Sequence, residues 1–86
     1  MNRIESHMRD ILQDLGEDPT REGLKLTPAR VAKALRELTS GYRVDVDAMI
    51  NNALFTETYD EMVLVRYITF YSMCEHHMLP FFGRAH

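Results

Sequence analysis

With 86 residues, 45% hydrophobic and 27% charged, the chain has the composition of one ordinary soluble domain or part of one, which excludes a disordered segment and a membrane protein. Its formal net charge of −3 and the lack of any Lys/Arg block leave no basic stripe for nonspecific nucleic-acid binding, so no nucleic-acid partner is expected. No run of about 18 apolar residues exists for a membrane span, and Met1 to Leu15 carries acidic residues and no signal-peptide centre, so a cytoplasmic location without a membrane partner is the expectation.

Ile4, Met8, Ile11, Leu12 and Leu15 form an apolar stripe of helical period, and Gly16 supplies a stop. Glu17 to Lys25 is turn-rich, with Asp18-Pro19 suited to opening a short helical turn. Thr27-Pro28 then reads as a helix start, with threonine as the cap and proline inside the first turn. The helix is expected to run to about Ser40, to bury Val31, Ala34, Leu35 and Leu38, and to end at Gly41. Asp45 is placed to cap a third, shorter helix through Asn52.

From Glu61 the period changes. Met62 to Tyr71 is dominated by β-branched and aromatic residues and alternates between two apolar faces, which predicts a strand of roughly ten residues covered on both sides. A second strand begins at Phe81-Phe82 and the chain stops at His86 without a turn or polar tail, as a truncated domain would. The resulting fold class is α+β, helices followed by antiparallel strands. A domain this short buries only about 60–65% of the surface its unfolded chain exposes, so self-association is expected to help.

Cys74 is the single cysteine, which excludes an intramolecular disulfide and leaves burial, nucleophilic chemistry or metal binding as its uses. Cys74, His76 and His77 lie within four residues beside a strand end, and thiolate plus imidazole is the donor set zinc prefers. Cys74 and His77, three apart in a turn, can face one ion, while His76 points elsewhere and stays available for proton transfer. The plainer alternative is a buried thiol beside solvated loop histidines. A cysteine nucleophile with a histidine base is a further one, disfavoured because neighbours on one loop rarely reach each other in line. Two donors do not complete a zinc shell; Glu75, His86 or another chain could add more. Arg30 and Lys33 are i and i+3 on the second helix, either a pair of cations for phosphate oxygens or solvated charges, with Lys33 in reach of Glu37. Arg66 is an edge charge or a site residue.

Three segments together resemble a known family: Thr27-Pro28-Ala29-Arg30-Val31-Ala32-Lys33, Met62-Val63-Leu64-Val65-Arg66, and above all Phe70-Tyr71-Ser72-Met73-Cys74-Glu75-His76-His77-Met78-Leu79-Pro80-Phe81-Phe82-Gly83. That family is GTP cyclohydrolase I, and the resemblance covers nearly the whole chain but only the N-terminal part of the family's domain. It implies an N-terminal helical region over 1–44, and over 45–86 the incomplete beginning of a tunnelling-fold (T-fold) catalytic domain whose sheets close into a barrel within a decamer. The implied reaction opens the guanine ring of GTP by hydrolysis, releasing formate and giving dihydroneopterin triphosphate, the entry to folate and related pterins. The implied cofactor is Zn2+, with Cys74 and His77 as ligands and the third, a cysteine, downstream of this chain. The resemblance further implies His76 as the catalytic proton donor and acceptor, and Arg30 and Lys33 as residues holding the triphosphate. The chain alone is then expected to be inactive. The alternatives are a non-catalytic truncated paralogue acting as an assembly or regulatory module, and another tunnelling-fold enzyme, disfavoured because the related nitrile reductases carry their cysteine in a different sequence context.

Overall fold

The computed structural model describes residues 2–56, 58 and 60–86. In chain order the described elements are α1 (Arg3–Asp14), α2 (Thr27–Leu38), a short 3-10 helix (Ser40–Arg43), α3 (Val46–Asn52), β1 (Ile68–Met73) and β2 (Pro80–Ala85). The expected α+β class is therefore present. The chain divides into two units, Met1–Glu37 and Leu38–His86.

In the first unit, α1 starts where Asn2 caps it. The Asn2 Oδ1 accepts from the Glu5 N–H at 2.9 Å, and its Nδ2 donates to Glu5 Oε1 at 3.0 Å. One of the helix's unpaired N–H groups is met by the asparagine side chain, a role worth about 1 kcal/mol relative to alanine. The far end closes as the sequence suggests. Gly16 has φ +92, its N–H bonds the Gln13 carbonyl, and the Glu17 N–H reaches back to Leu12. This pair of bonds satisfies the last carbonyls and requires the left-handed conformation that glycine adopts without steric cost. Leu12 is the buried member of the stripe, whereas Ile11 and Leu15 are exposed.

Between the helices, Asp18 takes both the backbone N–H and the hydroxyl of Thr20 on one carboxylate oxygen, at 2.9 and 2.6 Å. Those bonds hold its carboxyl below the usual range, with the hydroxyl as the largest cause. The Arg21 N–H closes the expected turn onto the Asp18 carbonyl. Two expectations for α2 need correction. The first bonded carbonyl is that of Leu26, accepting from Arg30, so Thr27 is the first helical residue instead of the cap. The buried face is Pro28 and Ala32, with Val31 and Leu35 half-buried, while Ala34 is exposed. Positions 28, 31, 32 and 35 follow the i, i+3, i+4, i+7 rule, and Ala34 falls off it.

The second unit opens at the end of α2. The helix stops at Leu38 instead of Ser40, because Tyr42 and Val44 donate to the Thr39 and Gly41 carbonyls in the tighter 3-10 pattern. Gly41 thus sits inside a 3-10 turn. α3 is capped as expected, with Asp45 Oδ1 accepting from the Ala48 N–H at 3.0 Å.

β1 and β2 pair antiparallel, Ile68 opposite Ala85 through Met73 opposite Pro80. The long strand predicted from Met62 is shorter than its composition suggests: residues 62–67 are outside any strand and β1 has six residues. A strand needs a partner for its hydrogen bonds, and the ladder with β2 pairs Ile68 to Met73. At the open end the backbone turns away. Tyr67 has φ +59, and its N–H donates to His86 Nδ1 at 2.9 Å, with the two rings edge to face. The Arg66 guanidinium lies 4.8 Å from the Tyr67 ring centre and donates to its hydroxyl. Across the hairpin the Phe70 ring stands over Gly83, close enough that a Cβ built there would lie 2.7 Å from Phe70 Cζ.

Candidate functional site

The six residues joining β1 to β2, Cys74 to Leu79, carry the thiolate and imidazole donors at the closed end of the hairpin. Cys74 continues the ladder by one bond, its N–H donating to the Leu79 carbonyl at 2.9 Å. The chain then folds tightly, the Met78 N–H returning to the Cys74 carbonyl at 3.0 Å with Met78 in the left-handed region at φ +56. That geometry frees the Leu79 N–H to point at the Cys74 sulfur, 3.4 Å away.

Cys74 is half-buried, and its thiol is held below the ordinary value of 9.0. The Leu79 N–H is the largest cause, followed by the N–H of His77; slight desolvation opposes them, and the N–H groups of His76 and Met78 add smaller contributions. Backbone dipoles directed at sulfur favour the thiolate, which is the form that binds metal or attacks an electrophile. Because the folded thiol titrates below the unfolded one, its contribution to stability is complete above the unfolded value and is lost as pH falls through the folded value. Alkylation of Cys74 by iodoacetamide is therefore expected to titrate with a midpoint below 9.0 in the folded chain and to return to it in urea. Equal midpoints in the two states would remove the N–H cradle from the account.

Glu75, His76 and His77 are exposed on the turn. The two imidazole rings are 6.3 Å apart and nearly perpendicular, at 83°. Among the described residues no group of three or more His, Cys, Asp or Glu is placed to hold a metal. A nitrogen- and sulfur-binding metal fits the donors that are there: a backbone-stabilised thiolate and an accessible imidazole three residues on. Beside the sulfur, within the same unit, is a cavity of about 620 Å³ walled by Tyr42, Met73, Cys74, Glu75 and Met78 among others.

Arg30 and Lys33 belong to the other unit, on the exposed side of α2 away from Pro28 and Ala32. Lys33 is 4.0 Å from Glu37, a loose and exposed i, i+4 pair. Such pairs are worth a few tenths of a kcal/mol, about 0.3–0.5, so this one does little to fix the Lys33 side chain. Arg66 pairs with a tyrosine at the opposite end of the hairpin from Cys74. The backbone N–H cradle was not foreseeable from side-chain types, since any residues can donate those bonds once the turn is formed.

A helical unit followed by an antiparallel hairpin with a cysteine and two histidines at its tip defines an α+β protein with a thiolate–imidazole donor turn. Comparison with known proteins makes the class specific. The family model for GTP cyclohydrolase I matches residues 4–86, and the chain belongs to that family. It is 66% identical over 84 residues to GTP cyclohydrolase 1 of Alkalilimnicola ehrlichii, a match covering 98% of this chain and 45% of that protein. With the enzyme of Chlorobaculum tepidum it shares 67% identity over 76 residues, 88% of this chain and 34% of the relative. For Porphyromonas gingivalis the figures are 56% over 85 residues, 99% and 44%. The chain thus spans between a third and just under half of these relatives' length. Among the described residues no helix is long and apolar enough to cross a membrane.

Proposed function

We propose that the chain is the N-terminal part of a zinc-dependent GTP cyclohydrolase I, which opens the guanine ring of GTP and yields formate and dihydroneopterin triphosphate at the start of folate and pterin synthesis in the cytoplasm. The observation that carries this reading is the family match over residues 4–86, which takes in the whole Cys74-Glu75-His76-His77 turn.

Cys74 and His77 hold the metal in this reading. The N–H groups directed at the sulfur favour its thiolate form, the form that binds a metal. When bound, zinc supplies Lewis acidity that brings the deprotonation of water toward neutral pH. His76, exposed beside the ligand pair and turned nearly perpendicular to His77, gives and takes protons at its ring nitrogens, to the purine and the ribose. The cavity next to Cys74 falls within the roughly 300–1,000 Å³ range of small-molecule sites, which supports a bound base beside the metal. Arg30 and Lys33 bind the triphosphate; both are exposed, and Lys33 makes a loose contact with Glu37.

The residues from 45 onward form the start of a tunnelling-fold catalytic domain in this reading, and residues 1–44 its helical N-terminal region. In this reading the apolar side chains that the second unit leaves uncovered meet the rest of the domain or further copies, as in a decamer. Among its described residues none is buried, and Tyr42, Phe55 and Phe82 are 91%, 84% and 76% exposed. Patches of this kind mark interfaces.

The test is to extend the chain with the C-terminal segment of the Alkalilimnicola ehrlichii relative and supply GTP and zinc. Fluorescent pterin and formate are expected in equal amounts. A folded, zinc-loaded chimera that consumes no GTP would sink the reading.

A further inference from the structure

We propose that Met78 is a positioning residue for the metal site: its left-handed backbone sets the Leu79 N–H against the Cys74 sulfur, where the bond steadies the ligand and draws charge from it. The inference rests on the assignment of Cys74 as a metal ligand.

The donor turn is one helical turn followed by a reversal. The Met78 N–H closes onto the Cys74 carbonyl four residues back, at 3.0 Å, and Met78 has φ +56. Helices commonly end in this way, with a left-handed residue just past the last turn, and glycine is the usual occupant because it has no Cβ to crowd the backbone. In one form of that ending the next N–H also returns to a carbonyl of the last turn. Here the next N–H, that of Leu79, goes instead to the Cys74 sulfur at 3.4 Å. The Leu79 carbonyl accepts from the Cys74 N–H at 2.9 Å, so Leu79 is bound to Cys74 through both of its backbone groups. The ladder closes the turn from both sides, with Met73 opposite Pro80.

The dihedral angles at Met78 set the plane of the peptide that carries the Leu79 N–H. A right-handed or extended Met78 would rotate that plane and take the N–H off the sulfur. A non-glycine residue at positive φ is uncommon, and this one stands where its conformation aims a donor at a ligand atom. Groups that bond a metal's ligand fix its orientation and tune its basicity, and their loss typically costs roughly 10–100-fold in metal affinity. An N–H on thiolate sulfur also holds back the charge the sulfur gives to an ion, which favours Lewis acidity there.

The experiment compares Met78→Gly, Met78→Asn and Met78→Ile in the extended chimera. Cobalt-loaded protein is followed by absorbance, and zinc affinity is measured by competition with a chelator. Glycine and asparagine accept a left-handed backbone but give up the apolar side chain, whereas isoleucine keeps an apolar side chain and its β-branch opposes that backbone. Met78→Gly and Met78→Asn are expected to keep the zinc affinity and the position of the thiolate-to-cobalt band. Met78→Ile is expected to lower the affinity roughly 10–100-fold and to move the band to longer wavelength. An ester in place of the Met78–Leu79 amide removes the N–H without changing either side chain, and is expected to move the band the same way. The reverse order, with Met78→Ile unchanged and Met78→Gly and Met78→Asn impaired, overturns the inference and makes Met78 a packing residue. A band unmoved by the ester overturns it as well, including where Met78→Ile fails to fold. Absence of the thiolate band from the unsubstituted chimera overturns the ligand assignment itself.

Discussion

The 86-residue chain on its own is expected to release no formate from GTP above the uncatalysed background, with or without added zinc. Catalysis in the proposed reaction needs two things at once, a metal held in a defined shell and a purine held against it. The described residues group no more than two metal donors at the tip. The relatives have more than half their length outside the matched region, and in the proposed reading the third ligand lies there. Positioning alone accounts for roughly 7–11 kcal/mol of a typical barrier, so its loss lowers turnover by roughly five orders of magnitude or more. The measurement is pterin fluorescence in the pure chain against the extended chimera at equal concentration. Turnover within tenfold of the chimera would show that this half holds a working site.

In the extended chimera, His76→Ala is expected to lower kcat by roughly 10²–10⁴ while leaving zinc content unchanged. Cys74→Ser and His77→Ala are expected to lose zinc and activity together. The contrast follows from the turn. His76 and His77 are sequence neighbours on an exposed turn, and in the proposed reading one is a proton carrier and the other a ligand. Metal analysis beside steady-state kinetics separates the two. Zinc lost from His76→Ala and retained in His77→Ala would exchange their roles.

Much of this was legible in the sequence because it depends on local chemistry. The Ile4, Met8, Leu12 period set α1, Gly16 set its end through a backbone conformation few other residues adopt, and Asp45 set the start of α3 through one hydrogen bond. The donor turn was legible because its donors are adjacent in the chain. What escaped depends on neighbours distant in sequence. Met62 to Val65 has the composition of a strand, but composition does not supply a partner, and the ladder of β1 with β2 begins at Ile68. Ala32 and not Ala34 is buried because the stripe is counted from Pro28, and Thr27 yields the cap to the Leu26 carbonyl. The N–H groups at the Cys74 sulfur arise from the left-handed turn at Met78, which no side-chain pattern announces.

The Phe70 ring over Gly83 has a consequence for how the hairpin finds its alignment. A slip of one residue in either direction sets Phe70 opposite Phe82 or Arg84, where a side chain already fills the space the ring requires. The same slip would carry Cys74 out of reach of the Leu79 N–H that steadies its sulfur. A glycine midway along the hairpin therefore works as a gauge for its closed end, admitting the one alignment in which the Leu79 N–H meets the Cys74 sulfur.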